Sequence, residues 1–115
     1  MQQLKKTSAK LCVRSNGDYH FISLDDILYL KADNNTTDIH LISGKVISGF
    51  KTLKYYESQL PSSFFRIHNS HIVNLNYVTR INVGKSDCYL LDNTIKLPFS
   101  RTYKEQIDLI IKRLD

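Results

Sequence analysis

Residues 64–81 read FFRIHNSHIVNLNYVTRI, and this stretch carries the most information about the fold. Its apolar residues are mainly β-branched or aromatic and occur in short runs, which is typical of β-strands. We expect strands at residues 64–67, 70–73 and 77–83. The segment Arg66–His71 interrupts this pattern with side chains that are rich in hydrogen-bonding groups.

The rest of the chain predicts a meander of short strands around this stretch. Asn16-Gly17 is a strong signal for a tight hairpin, and Leu24–Ile27 has the pattern of a single helical turn. The polar segments Asp33–Thr36 and Ser43-Gly44 mark further turns. The expected strands outside the quoted stretch are residues 11–14, 19–22, 27–32, 37–42, 46–47, 88–91 and 94–97.

Two short helices are predicted, one in the middle of the chain and one at its end. The first begins at Thr52, a favourable N-cap residue, and ends at Leu60 because Pro61 follows. The spacing of Thr102 and Glu105 predicts a capping box at the start of the last helix. The apolar stripe of that helix comprises Ile107, Ile110, Ile111 and Leu114. The fold class is therefore mostly β with two short helices.

A chain of 115 residues is long enough for one hydrophobic domain and too short for two. We assign residues 11–115 to that domain and the polar, basic residues 1–10 to a linker or an added tail, in which Met1 need not be the natural start. The net charge is +5, with +3 in the first 20 residues, −1 in the next 40 and +3 in the last 55. A nucleic-acid surface is therefore expected mainly in the second half.

The cysteines and histidines do not have the spacing of a metal site. Cys12 and Cys88 lie 76 residues apart, so we expect two small buried side chains and no disulfide. His68 and His71 would point to opposite faces of an extended segment unless a turn intervenes. The other histidines are His20 and His40. No metal and no other cofactor are expected.

Motifs for catalysis or membrane insertion are also lacking in the sequence. No GxSxG, HExxH or paired-carboxylate pattern occurs, and Asp25, Asp26 and Glu57 are expected to be solvated. No apolar run approaches ~18 residues, and the N-terminus has no apolar signal segment. We therefore expect a soluble cytoplasmic protein that is not an enzyme and makes no contact with membranes.

Three polar patches carry side chains suited to DNA. They are residues 31–37, 66–71 and 99–104. Arg and Asn can pair with base edges, whereas Ser, Thr and Lys suit phosphates. Backbone amides at the start of the last helix would add a phosphate-binding site beside Arg101. Such patches are also common in ordinary loops and helix caps, so composition alone leaves both interpretations open.

The order of three motifs resolves this choice. The quoted stretch resembles the core motif F-x-R-x-H-x-S-x-[IV]-V-N of the LytTR family, the DNA-binding domains of bacterial response regulators, with Phe64 and Phe65 both available for the aromatic position. Residues 27–41 resemble the upstream strand–loop–strand of that family, and residues 97–103 resemble its closing P-x-S-R element. The resemblance covers about residues 10–114.

The resemblance implies an elongated arrangement of small, mainly antiparallel sheets whose loops enter the DNA grooves. Asn69 and Arg101 match base-contacting positions, and the segment around Asn34 matches a third contact loop. Many members have Arg where this chain has Asn69, which can pair with adenine through two hydrogen bonds. Asn74 is expected to organise the turn after Val73. The candidate DNA-contacting residues are Asn34, Asn35, Arg66, His68, Asn69, Ser70, Ser100, Arg101 and Lys104.

The predicted function is sequence-specific binding of double-stranded DNA by the output domain of a two-component response regulator. The expected partners are repeated operator sites, an N-terminal receiver or sensor module, and a second copy of the chain on DNA. The alternative is a protein-interaction or sensory β-domain that uses the Tyr-rich strands and has no affinity for DNA. Tyr103 is expected to pack beside the last helix rather than to stack on DNA.

Overall fold

The computed structural model describes residues 9–115, which form ten strands and two helices. Residues 1–8 of the expected linker or tail lie outside the described residues, and Lys10 already belongs to the first strand. The strands are β1 Lys10–Ser15, β2 Asp18–Ser23, β3 Ile27–Asp33, β4 Thr36–Leu41, β5 Val46–Gly49, β6 Phe64–His68, β7 His71–Asn74, β8 Val78–Asn82, β9 Asp87–Leu90 and β10 Ile95–Pro98. The helices are α1 Leu53–Gln59 and α2 Lys104–Leu114.

The strands form three small antiparallel sheets. The central sheet has the order β5-β4-β3-β7-β6, while β1 and β2 form a hairpin and β10-β9-β8 form a third sheet. The principal dimensions are 41 × 39 × 25 Å, so the sheets spread along two long directions. The predicted fold class, mostly β with two helices and several small antiparallel sheets, is confirmed.

The central sheet separates two hydrophobic cores. Leu30 and Ile72 pack into one core with the β1–β2 hairpin and α1, whereas Tyr29 and Val73 face the other core with the third sheet and α2. Neighbouring residues reach opposite cores because successive side chains of a strand point to opposite faces. Strand β7 is consequently buried along its whole length.

The hairpin and the first helix follow the sequence signals. Asn16 and Gly17 adopt positive φ angles of 49° and 85°, as a two-residue turn between twisted strands requires. The hydroxyl of Thr52 accepts a hydrogen bond from the amide of Tyr55 over 3.2 Å and so caps α1. The predicted helical turn at residues 24–27 is present as a 3₁₀ turn, Leu24–Asp26.

The predicted capping box of the last helix is wrong. The amide of Tyr103 donates to the carbonyl of Ser100 over 2.9 Å, which closes a 3₁₀ turn, Arg101–Tyr103, before α2 begins. Thr102 therefore lies inside this turn, and α2 starts without a side-chain cap. The stripe is also only half buried: Ile107 and Ile110 are in the core, whereas the remaining two members, Ile111 and Leu114, are exposed.

The sequence predicts that both cysteines are buried, and this is confirmed for Cys88 alone. Cys88 is fully buried, but Cys12 is exposed because its neighbours Leu11 and Val13 occupy the face of β1 that meets the core. Both thiols are free. Within residues 9–115, no helix is long and apolar enough to cross a membrane.

Candidate nucleic-acid interface

Three polar segments meet at one end of the central sheet. They are the β3–β4 turn at Asn34-Asn35, the β6–β7 turn at Asn69-Ser70, and residues 100–104, and we call them together the loop end. The amide of Ala32 in β3 donates to the carbonyl of Ser70 over 2.9 Å. The amide of Ser100 donates to the carbonyl of Ile67, also over 2.9 Å. The β6–β7 turn therefore lies between the other two segments.

The β3–β4 turn is tighter than the sequence suggests. Asp33 and Thr36 still pair across the two strands, so only Asn34 and Asn35 form the connection. Asn34 has a φ of 57°, a left-handed conformation that Asn tolerates better than most residues, and the hydroxyl of Thr36 donates to the carbonyl of Asp33 over 2.8 Å. Both asparagines are exposed at the tip.

Arg66 organises the β6–β7 turn. Its Nε donates to the carbonyl of His68 over 2.8 Å, and one terminal nitrogen donates to the carbonyl of Asn69, also over 2.8 Å. The other terminal nitrogen forms a 2.7 Å ion pair with Glu57 of α1, and the Arg66 side chain is only 14% exposed. Three donors of this guanidinium are thus used inside the protein. Glu57 is exposed on α1, as expected, and forms this ion pair in addition.

His68 and His71 meet across this turn. They pair at the ends of β6 and β7, and their ring centroids lie 5.5 Å apart. The Oγ of Ser70 lies 2.9 Å from Nδ1 of His68 and 3.2 Å from Nδ1 of His71. The amide of Ser70 also donates to Nδ1 of His68, so that nitrogen accepts and the ring carries its proton on Nε2.

His71, the buried member of this histidine pair, is uncharged near neutral pH. Burial is the main cause that lowers the pKa of His71 to about 4, and the neighbouring His68, Lys31 and His40 contribute to the same shift. Burial also lowers the pKa of His40, whose ring stacks on Tyr29 with centroids 4.2 Å apart. Among residues 9–115, no group of three or more His, Cys, Asp or Glu is placed to hold a metal ion.

Asn69 is exposed at the tip of the β6–β7 turn, where the structure gives its side chain a partner from another element. The hydroxyl of Tyr103 donates to Oδ1 of Asn69 over 3.3 Å. The guanidinium of Arg66 lies over the Tyr103 ring, 5.7 Å from its centroid. Tyr103 is half-buried, and its expected packing beside the last helix stays a prediction.

Residues 100–104 contain two basic side chains, Arg101 and Lys104, and Lys104 forms an ion pair. Arg101 is exposed, whereas the exposed Lys104 lies 3.4 Å from the carboxylate of Asp108, one helical turn later. The Oγ of Ser100 is buried and has no hydrogen-bond partner among residues 9–115. Because the amides of Tyr103 and Lys104 bond within the 3₁₀ turn, fewer backbone donors remain beside Arg101 than the sequence suggests.

The nine candidate residues therefore divide into two groups. Exposed at the loop end are Asn34, Asn35, Asn69, Arg101 and Lys104. Partly buried are Arg66, His68, Ser70 and Ser100. The first three of the second group bond within the β6–β7 turn. Sequence reasoning missed the contributions of Glu57 and of the Tyr103 hydroxyl, since no local pattern links either residue to the turn.

Comparison with known proteins concerns the family and the fold of the chain. The family model of the LytTr DNA-binding domain matches residues 17–112. A solved LytTr DNA-binding domain of a response regulator from Bacillus cereus superposes with a TM-score of 0.73 at 23% identity, covering 90% of this chain and 97% of that one. At this identity the likeness concerns the fold.

Curated relatives are longer proteins. The chain is 32% identical over 104 residues to the sensory transduction protein LytR of Staphylococcus saprophyticus, covering 85% of this chain and 39% of that protein. It is 27% identical over 94 residues to LytT of Bacillus anthracis, covering 79% of this chain and 38% of that protein. It is 26% identical over 112 residues to the transcriptional regulatory protein YpdB of Escherichia coli, covering 88% of this chain and 46% of that protein. The chain spans less than half the length of these relatives.

Proposed function

Since the chain belongs to the LytTR family of DNA-binding domains, we propose that it binds double-stranded DNA in a sequence-specific manner through the loop end. The observation that carries this proposal is the meeting of three polar segments at one end of a rigid sheet. Ala32 and Ser70 are joined by one backbone hydrogen bond there, and Ile67 and Ser100 by another. A loop placed by a rigid scaffold is a common location for binding residues.

The exposed side chains have the chemistry that base edges require. Asn69, Arg101 and the Asn34-Asn35 tip are proposed to contact bases, since amide and guanidinium groups pair with the donors and acceptors of the major groove. Lys104 and the other basic side chains are proposed to contact phosphates. The longest dimension of 41 Å slightly exceeds one turn of B-DNA, about 34 Å, so contacts in successive grooves fit the size of the domain.

Arg66, His68 and Ser70 are among the candidate DNA-contacting residues. Their hydrogen bonds support a proposed role in shaping the turn that presents Asn69. The partly buried Ser100 is proposed to act similarly, by joining residues 100–104 to β6 through its amide. The domain is thus proposed to be a binding module without catalytic activity.

We extend the proposal to the full-length protein. It would be the output domain of a two-component response regulator, joined to an N-terminal receiver or sensor module, and would occupy repeated operator sites as a dimer. The names and greater lengths of the relatives LytR and YpdB support this view. Such a regulator is proposed to act in the cytoplasm, where it would reach chromosomal DNA.

Duplex titrations at a series of salt concentrations test DNA binding. We expect affinity to fall steeply as salt rises, because each phosphate contact releases bound counterions. Selection of bound duplexes from a random pool should then return one recurring sequence motif. A flat salt response would overturn binding through phosphates, and a pool that stays random after selection would overturn sequence specificity.

A further inference from the structure

The side-chain amide of Asn69 is held from a distant part of the chain. The hydroxyl of Tyr103 lies 3.3 Å from its Oδ1, although the two residues are 34 positions apart. Asn69 belongs to the β6–β7 turn, whereas Tyr103 ends the 3₁₀ turn before α2. A hydroxyl can donate to the oxygen of an amide, and Oδ1 is the atom of the Asn69 amide that makes this contact in the structure.

Both partners of this contact are tied to the same guanidinium. Arg66 donates to the backbone carbonyl of Asn69 over 2.8 Å and also lies over the ring of Tyr103, 5.7 Å from its centroid. Glu57 holds the guanidinium in place through its 2.7 Å ion pair. The Tyr103 backbone is fixed as well, since its amide donates to the carbonyl of Ser100. The Asn69 backbone and the Tyr103 ring are therefore both held by Arg66 in the protein without DNA, and the Tyr103 hydroxyl is placed against the Asn69 amide.

The orientation of an amide decides which base it prefers. An Asn that reads adenine uses Oδ1 to accept from N6 and Nδ2 to donate to N7, so both atoms must face the base. At the loop end, Oδ1 of Asn69 is directed to Tyr103. With Oδ1 engaged in this way, Nδ2 is the atom of the amide that has no hydrogen-bond partner among residues 9–115, and it is a donor. It complements the two acceptors of guanine, N7 and O6, and faces the amino group of adenine as one donor against another.

We propose, on the basis of the DNA-binding function proposed above, that Tyr103 is a positioning residue that sets base preference. It holds the Asn69 amide with Nδ2 outward, so that the position read by Asn69 prefers guanine over adenine. Tyr103 acts through Asn69 and needs no contact with DNA of its own.

The test uses the selected operator duplex and versions of it in which single guanines are replaced by adenine. Asn69→Ala identifies the relevant position, as the one where discrimination falls on removing the amide. Tyr103→Phe keeps the ring over Arg66 and removes only the hydroxyl. We expect it to reduce guanine-over-adenine discrimination at that position by about two- to tenfold, the range of one hydrogen bond, and to leave the salt dependence unchanged.

A matched control comes from the third sheet. Tyr89 also lies beneath a guanidinium, with Arg80 4.0 Å from its ring centroid, and Tyr89→Phe should leave discrimination at every position unchanged. A side-chain amide NMR signal of Asn69 that shifts in Tyr103→Phe, in the absence of DNA, would support the contact independently of binding.

Negative results for the role of Tyr103 can be told apart from negative results for DNA binding. A parent domain that prefers adenine at the Asn69 position, or a Tyr103→Phe variant that keeps full discrimination, would overturn the role of Tyr103 while DNA binding itself stands. If the parent has no salt-dependent affinity for duplex DNA, the proposed function fails. An Asn69→Ala variant that weakens all duplexes equally would show Asn69 to be structural and would remove the basis of this inference.

Discussion

The side-chain Nδ2 of Asn74 donates a hydrogen bond to the carbonyl of Ile27 over 2.8 Å, across 47 residues of chain. The same nitrogen lies 3.3 Å from the carbonyl of Leu24, and Oδ1 accepts from the amide of Asn76 over 3.0 Å. Asn74 is 1% exposed. One amide thus joins the end of β7 to the start of β3 and begins the 3₁₀ turn Leu75–Tyr77, which confirms the expected role of Asn74 in organising this turn.

Replacing Asn74 by Ala should destabilise the domain by about 2–3 kcal/mol. The substitution leaves buried backbone groups without partners, and such groups cost more than the mean value of a hydrogen bond. Urea unfolding measures the free energy. Asn76→Ala, at an exposed side chain two residues later, is the control and should cost less than about 0.5 kcal/mol. Equal losses in the two variants would contradict a special role for the buried amide.

Arg101→Ala should weaken operator binding by about tenfold or more, because a guanidinium that pairs with a base or phosphate is lost. Stability should stay within about 1 kcal/mol of the parent, since Arg101 is exposed and cations gain nothing from the dipole at a helix start. Thermal melts and operator titrations provide the two measurements. Lys112→Ala removes an exposed charge at the far end of α2 and serves as the control. Normal binding by Arg101→Ala would exclude the contact.

Acid should destabilise the fold through His71. Burial lowers the pKa of His71 to about 4, below its ordinary value of 6.5, so the unfolded chain takes up a proton between these limits before the folded chain does. Stability therefore falls as the pH drops through this window, by about 2 kcal/mol between pH 7.5 and 5. Urea unfolding at both pH values measures the change. In His71→Gln the difference should shrink by that amount, and an unchanged difference would show that other groups cause it.

The two thiols should react at very different rates in the folded protein. Cys12 is exposed, whereas burial raises the pKa of the fully buried Cys88 to about 12 and so suppresses its thiolate. At pH 8 a thiol reagent should label Cys12 quickly and Cys88 only after denaturation. Cys12→Ser should remove the fast phase. Rapid labelling of both thiols in the native parent would contradict the packing of Cys88 in the core.

Local signals predicted most of the elements. The Asn16-Gly17 turn and the Thr52 cap depend on residues within a few positions of each other, and both are present as expected. The capping box at Thr102 failed although its signal is also local. There, the amide of Tyr103 donates to the carbonyl of Ser100, and the backbone forms a 3₁₀ turn that the side-chain pattern does not reveal. Thr102 lies within this turn and not at the start of the helix.

The geometry within the candidate interface was harder to predict. The residues of each polar segment were identified from the sequence, but their mutual contacts were not. Arg66 reaches Glu57 in another element, and Tyr103 reaches Asn69 over 34 positions. Such pairs depend on how β6, α1 and the segment before α2 pack together, and no periodicity or spacing encodes that packing. His68 and His71 met for a related reason, since the tight turn between them reverses the chain.

The burial of β7 between two cores has a consequence for the thermodynamics of recognition. Both ends of the Asn69-Ser70 connection are anchored in strands of the central sheet, β6 and β7, and β7 is buried throughout. The backbone of a connection that is anchored in this way has little conformational entropy left to lose when a ligand binds. Association should therefore proceed with small entropic penalties from the protein, and most of the structural adjustment would be borne by the nucleic acid.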